Sequence, residues 1–202
     1  MIQTAPVFTD HMVLQWDKNV AVFGTGTAGE SVRVSLPAQN RTVSGCVDGD
    51  GTWCVYLPPL TAGTGMTLEV AGAENQLVYT DVAVGEVWFA GGQSNMEFML
   101  KDAKGGAEAL RHCAEFGVRC FRVPRNTFPD AAYAQEFAES RWELARRKPL
   151  ACGRRWRTGQ RRSWHSALAF RWESSAAIMA VLLSAAGCRR KIWSGTLPDI
   201  PI

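Results

Sequence analysis

The chain has 202 residues, of which 47% are apolar, enough to form a packed core in one large domain or two small ones. Its net charge of +3 conceals an uneven distribution: of the 22 Lys/Arg and 19 Asp/Glu residues, the segment from Arg146 onward holds 12 of the former and two of the latter. The longest apolar run, Ala176 to Ala186, is too short to span a bilayer, and residues 1 to 20 lack a signal-peptide pattern. The chain as written is therefore predicted to be cytoplasmic, without a membrane partner.

The six cysteines and three histidines indicate no metal site. No two cysteines form a C-x-x-C pair, and none has a zinc-ligand spacing to a histidine. Cys46 and Cys54 flank a glycine-rich turn and can face each other. Most of the cysteines are interpreted as small buried thiols, so no disulfide framework is predicted.

The first 81 residues predict an all-β domain. Short β-branched runs alternate with turn residues at a spacing of roughly ten, which is typical of an antiparallel sandwich. The sequence DGDGTW, Asp48 to Trp53, predicts a hairpin turn because its glycines permit positive φ. Trp16, Trp53 and Tyr56 are interpreted as core or edge packing, with a sugar-binding platform as the alternative. The predicted strands are Val20–Gly24, Ser31–Leu36, Arg41–Val47, Trp53–Leu57, Thr67–Ala71 and Gln76–Thr80.

After Asp81 the pattern becomes that of an α/β sheet. A buried strand extends to Ala90, and a Gly-Gly-Gln-Ser-Asn turn follows it. Apolar residues between Ala107 and Ala114 fall at helical spacing, and the segment 118 to 125 predicts the next strand. In such sheets the chemistry lies at the carboxyl ends of the strands, which is where Ser94 falls.

Ser94 has the position that a catalytic serine needs. Its hydroxyl can attack a carbonyl once a base removes the proton, and its backbone N–H can donate to the resulting oxyanion. Gln93 and Asn95 are candidate oxyanion or substrate contacts. The G-x-S-x-G elbow of α/β-hydrolases is absent, because Met96 stands where the second glycine would be. An ordinary turn serine is therefore the alternative.

Three segments carry a family resemblance: VFTDHMVLQWDKNVAVFGTGTAGESVRV, DGTWCVYLPPLTAG and VGEVWFAGGQSNMEF. From about Val7 to Leu144 the chain resembles the sialate O-acetylesterases, carbohydrate esterases of the SGNH-hydrolase type. The resemblance implies an α/β protein with an N-terminal all-β domain: an antiparallel β-sandwich over residues 1–81, then an incomplete flavodoxin-like SGNH-hydrolase α/β domain over 82–145. Ser94 matches the nucleophile of the family's G-Q-S-N-M motif. The implied reaction removes acetyl groups from O-acetylated carbohydrate through an acetyl-enzyme, without metal or cofactor.

The family's catalytic base is a histidine supported by an aspartate in a D-x-x-H-type motif far downstream, and this chain ends before such a motif. His11, His112 and His165 have no Asp-x-x-His setting and are interpreted as surface or packing histidines. Activity is therefore expected to be impaired. The alternative is a non-catalytic protein that binds carbohydrate or nucleic acid. The sugar and the oligomeric state are not determined by the sequence, and relatives of this family are often exported.

Residues 146–202 form a basic, Trp/Arg-rich tail to which the resemblance does not extend. Three interpretations are open: a divergent basic tail, a nucleic-acid-binding Arg/Trp segment, or translation in the wrong frame. When each codon's third base is read with the next codon's first two, the code permits family-like blocks, among them A-Q-R-A-G-V-P-L-G-I over Trp164 to Ser174 and G-G-T-S at Met179. The shifted frame is preferred, so the tail is predicted not to continue the α/β sheet, and nucleic acid is not the predicted partner.

Resequencing the coding DNA from about codon 140 onward tests the shifted frame. We expect a second frame to continue the family-like sequence, because the permitted blocks occur in the family's order. If the present frame is confirmed and no other frame reaches an Asp-x-x-His motif, the frameshift is wrong and a binding protein becomes the better interpretation.

Overall fold

A computed structural model describes residues 1–91, 118–123, 131–144 and 179–184, which are mostly β-strand. Their strands and helices are β1 (Gln3–Thr4), β2 (Val13–Gln15), β3 (Val20–Thr25), β4 (Ser31–Leu36), a 3-10 helix (Pro37–Gln39), β5 (Arg41–Cys46), β6 (Thr52–Leu57), β7 (Gly63–Ala71), β8 (Gln76–Gly91), β9 (Arg119–Arg122), α1 (Ala131–Glu139), β10 (Trp142–Leu144) and β11 (Met179–Ser184).

These strands form two sheets that share one hydrophobic core. β1, β3 and β6 make a small antiparallel sheet, and the larger sheet has the order β10-β9-β11-β8-β7-β4-β5, with β2 paired to β8. Alternate side chains are buried in β4 and β6, because successive residues of a strand point to opposite faces. Val34 and Leu36 of the large sheet and Trp53 and Leu57 of the small one belong to the same buried cluster. The indole N–H of Trp53 is satisfied by the carbonyl of Thr25 at 3.0 Å.

The six predicted strands between residues 20 and 80 are confirmed, although the one from Gln76 continues to Gly91. The turn in DGDGTW is also confirmed, with Gly51 at φ 83° and Asp48 accepting the Gly51 N–H at 3.0 Å through its carbonyl. The prediction that this turn makes a hairpin is wrong. β5 pairs with β4, whereas β6 pairs with β3, so the turn leads the chain from one sheet into the other.

β8 has an antiparallel neighbour along its first part and a parallel neighbour along its last part. Its first part pairs antiparallel with β7, from Gln76 opposite Ala71 to Val84 opposite Gly63. Its last six residues, from Glu86, pair in parallel with β11. The predicted domain boundary between residues 81 and 82 therefore falls inside a continuous strand. The assignments as a β-sandwich and an SGNH domain stay predictions.

The basic tail contributes a strand to the large sheet. β11 lies between β8 and β9 and pairs in parallel with both. The prediction that residues after Ala145 do not continue the sheet is wrong for this segment. The physical reason is its sequence, MAVLLS, a short apolar run that suits a strand paired on both edges. The rest of the tail lies outside the described residues.

β9 and β10 are anchored to the N-terminal segment of the chain. The predicted strand over residues 118 to 125 is confirmed as β9, while α1 and β10 were not predicted. Trp142 of β10 donates its indole N–H to the carbonyl of Val7 at 2.8 Å. Phe121 of β9 packs on Trp142, with ring centroids 5.5 Å apart, and on Phe137 of α1 at 6.1 Å. The helix predicted between residues 107 and 114 lies outside the described residues.

The cysteines differ from the buried thiols that the sequence suggests. Cys46 and Cys54 are free and exposed, and Cys120 is disulfide-bonded. The expectation of buried thiols is therefore wrong for Cys46 and Cys54, which are exposed, and for Cys120, which is buried but is not a thiol. Within the described ranges, no helix has the length and apolar character needed to cross a membrane.

Amide hydrogen exchange tests the position of β11. Because β11 is paired on both edges, we expect its amides to exchange about as slowly as those of β9. Leu182→Pro should remove a ladder donor and increase exchange in β8 and β9 as well. Unprotected β11 amides in the wild-type chain, with β9 still protected, would contradict this arrangement.

Candidate functional site

A buried arginine of β9 links the antiparallel part of β8 to the N-terminal segment. Arg119 of β9 is 4% exposed. One terminal nitrogen of its guanidinium, Nη1, donates to the carbonyls of His11, at 3.0 Å, and of Asp81. The other, Nη2, lies 3.1 Å from Oδ1 of Asp81, whose Oδ2 accepts from Nδ1 of His11 at 2.7 Å. Three distant parts of the sequence therefore meet in one charged cluster.

The cluster holds Asp81 in its ionised form. Burial is the largest influence on this carboxyl and acts to raise its pKa. The hydrogen bond from His11 and the charge and hydrogen bond of Arg119 together outweigh burial, so the pKa of Asp81 lies below its ordinary value. Within the described part of the chain, Nε of Arg119 is buried and has no hydrogen-bond partner. Loss of the Asp81 charge would thus leave a buried cation poorly compensated.

This His–Asp pair is not in the position that the predicted nucleophile requires. Asp81 lies ten residues before Gly91 in β8, which corresponds to roughly 30 Å along an extended strand. The chain continues to Ser94 from the Gly91 end. His11 therefore has a structural partner, consistent with its interpretation as a packing histidine, and this partner lies ten residues before the Gly91 end of β8.

The predicted site residues themselves, Ser94, Gln93 and Asn95, lie outside the described residues, as do His112 and His165. What the structure describes is the strand that leads to them. Glu86 to Gly91 run in parallel with β11, so the motif follows the carboxyl end of a parallel strand. In the described ranges, no cluster of three or more His, Cys, Asp or Glu side chains is arranged to hold a metal ion.

A second group of side chains, which the sequence did not single out as a site, lies near that end of β8. Trp16 is 41% exposed and donates its indole N–H to Oε1 of Glu86. Trp88, two residues beyond Glu86, is 51% exposed. The sequence predicts core or edge packing for Trp16, Trp53 and Tyr56. Core packing is confirmed for Trp53, while Trp16 and Tyr56 are exposed. The signal available in the sequence was the spacing of Glu86 and Trp88, which places both on one face of the strand.

Comparison with known proteins supports the family resemblance. No family model matches the chain. Sialate O-acetylesterase from Mus musculus is 33% identical over 129 residues, which cover 59% of this chain and 24% of that protein. The Homo sapiens protein of the same name is 29% identical over 121 residues, 55% of this chain and 23% of its own length. The chain thus spans 24% or less of these curated relatives.

A solved structure gives the same result. A carbohydrate acetylesterase from Xanthomonas citri matches with a TM-score of 0.71 and 28% identity. The match covers 96% of this chain and 42% of that one. Two independent comparisons, of sequence and of structure, therefore agree with the resemblance that the three quoted segments carry.

Substituting Asp81 tests the charged cluster. Asn tolerates the left-handed backbone of this position, where φ is 50°, so Asp81→Asn removes the charge with little backbone effect. We expect unfolding free energy at neutral pH to fall by about 1–2 kcal/mol, an estimate reduced for the partial exposure of Asp81. Because the folded pKa is depressed, the wild-type advantage should be present above about pH 4 and disappear as the pH falls further.

Urea unfolding of both proteins between neutral and acid pH measures this effect. The control is Asp17→Asn, at an exposed aspartate that also has positive φ. A difference between wild type and Asp81→Asn that does not change with pH would show that the Asp81 charge is not the stabilising group.

Proposed function

We propose that this chain, which resembles the sialate O-acetylesterases, is part of a carbohydrate esterase and carries its serine nucleophile, Ser94. The observation that supports this most is the end of β8. Gly91 ends a strand that pairs in parallel with β11, and the G-Q-S-N-M motif follows at once in the sequence. Ligands of open parallel sheets bind at the carboxyl ends of the strands. The names of the similar proteins support the same reaction class.

The proposed reaction is acyl transfer in two steps. Oγ of Ser94 attacks the carbonyl carbon of an acetyl ester, its proton passes to a base, and a tetrahedral oxyanion forms. Collapse of this intermediate breaks the bond to the sugar oxygen, which takes a proton and leaves as a hydroxyl. Water then hydrolyses the acetyl-enzyme to acetate. The backbone N–H of Ser94 and the side-chain amides of Gln93 and Asn95 are the proposed donors to the oxyanion.

The base for this reaction is not proposed to be His11. His11 is the one histidine in the described ranges, and it is paired with Asp81, ten residues before the Gly91 end of β8. His112 and His165 have no Asp-x-x-His setting in the sequence. We therefore propose that activity of this chain is impaired and comes from binding and oxyanion stabilisation, which retain part of the rate enhancement when a triad member is lost.

The proposed architecture assigns the remaining strands a supporting role. The antiparallel strands up to residue 81 would form a β-sandwich, and the parallel strands β8, β11 and β9 would begin a flavodoxin-like SGNH domain. The single core shared by both sheets, and the continuity of β8, support a rigid connection between the two parts. Such a connection would hold the end of β8 in place for chemistry.

Acetate release separates an esterase from a binding protein. We expect the full chain to release acetate slowly from p-nitrophenyl acetate and from acetylated xylan. Ser94→Ala should abolish this release, because it removes the attacking oxygen. Ser44→Ala, at an exposed serine of β5, is the control and should leave the rate unchanged.

Equal rates for wild type and Ser94→Ala would refute the proposed mechanism. A trapped acetyl group on Ser94, detected by mass spectrometry after rapid acid quench, would support it directly. Absence of both acetate release and the acetyl adduct would favour the non-catalytic alternative, in which the chain binds carbohydrate.

A further inference from the structure

Two exposed indole rings and a carboxylate lie together beside the parallel part of β8. Trp16 follows β2, and its backbone N–H donates to the carbonyl of Gly85 at 3.1 Å. Its side chain donates to Glu86, so the indole and the carboxylate are in direct contact. Trp88 lies two residues further along the strand and therefore points to the same side as Glu86.

This side of β8 changes character after Val84. Val82 and Val84 lie on the same face of the strand as Glu86, and both are fully buried in the common core. Glu86 is partly buried and Trp88 is about half exposed, so on this face the core ends between Val84 and Glu86, while Val87 on the other face still packs against it. A strand that changes from buried valines to an exposed indole presents a ring where packing alone would favour a smaller polar residue.

The composition of the patch matches a sugar better than a packed helix. Indole faces offer flat apolar surface to the C–H faces of a pyranose, and the indole N–H and the carboxylate serve its hydroxyls. A helix covering the same face would bury the Glu86 carboxylate, which is costly unless the helix supplies a positive charge. Gln15, whose Oε1 accepts from the Val87 N–H at 3.0 Å, adds an amide at the margin of the patch.

We propose that Trp16, Glu86 and Trp88 form a binding platform for neutral carbohydrate. The platform deepens the proposed function by naming its substrate class, and it rests on that function only for the link to catalysis. Glu86 gives the platform a negative charge, while Asp17 and Lys18 in the adjoining turn offset each other. A carboxylate at the binding surface repels the carboxylate of a sialic acid and accepts hydrogen bonds from neutral sugar hydroxyls.

Calorimetric titration of the full chain with xylotriose and with a sialyllactose tests the platform. Both probes are trisaccharides without acetyl groups, so binding is measured apart from ester hydrolysis. We expect xylotriose to bind at least about tenfold more tightly than sialyllactose, since only the latter carries a charge like that of Glu86. Trp16→Ala and Trp88→Ala should each weaken xylotriose binding by about tenfold or more, because each removes a stacking surface.

Two further variants make the test specific. Tyr56→Ala removes an aromatic ring of similar exposure on β6 and should leave xylotriose binding unchanged. Glu86→Gln keeps an oxygen that accepts the Trp16 indole N–H but removes the negative charge. The affinities for xylotriose and sialyllactose should then differ by about threefold or less. Trp16 lies outside the strands, so its variant tests the platform even if Trp88→Ala fails to fold.

The outcomes separate this proposal from the proposed esterase. Lack of xylotriose binding, equal or tighter sialyllactose binding, or an equal loss with Tyr56→Ala would overturn the platform. Ser94→Ala should retain xylotriose binding. A wild-type chain that binds xylotriose through Trp16 but releases no acetate would refute the esterase proposal and support the platform. A chain that releases acetate but does not bind xylotriose would refute the platform and support the esterase.

Discussion

The backbone ladder along β8 is the constraint on which the rest of the structure depends. The strand is sixteen residues long, and it pairs first with an antiparallel and then with a parallel neighbour. From Val82 onward the side chains alternate between the two faces, so Glu86 and Trp88 lie on the same face as the buried Val82 and Val84. A slip of one residue would exchange the two faces, so the core and the exposed patch are set by one register.

Arg119 makes a second connection between the same parts of the chain. A guanidinium has a planar fork of donors, and here it reaches two carbonyls and a carboxylate at once. His11 and Asp81 both have positive φ, at 65° and 50°, a backbone conformation that costs energy for residues other than glycine. The hydrogen bonds between these three residues offset that cost. A buried ion pair adds little net stability but is costly to break, so the cluster disfavours arrangements of the strands that separate Arg119 from Asp81.

Local patterns in the sequence predicted most of the strands, and long-range contacts were not predictable. Alternation identified Ser31–Leu36 as it stands in the structure, because each strand with one buried face shows that period. The pairing of His11 with Asp81 joins residues 70 positions apart, and no local pattern reports such a distance. Likewise, Trp16 and Trp53 both lie beside apolar residues in the sequence, which precede Trp16 and follow Trp53. Only the path of the chain decides that Trp53 is enclosed by two sheets and Trp16 by none.

Distance from the Gly91 end of β8 shows which side chains are near the proposed site, which residue type alone does not show. His11 and Asp81 have the chemistry of a catalytic pair, but they lie roughly 30 Å from Gly91 along the strand. Trp88 has no reactive group and lies only about 10 Å before Gly91 along the strand, after which the sequence continues to the proposed nucleophile. Binding energy from sugar rings that do not react can position the reacting ester, and this contribution is independent of the base. Substrate positioning along β8 would therefore contribute to the proposed catalysis beside oxyanion stabilisation, whether or not a base is present.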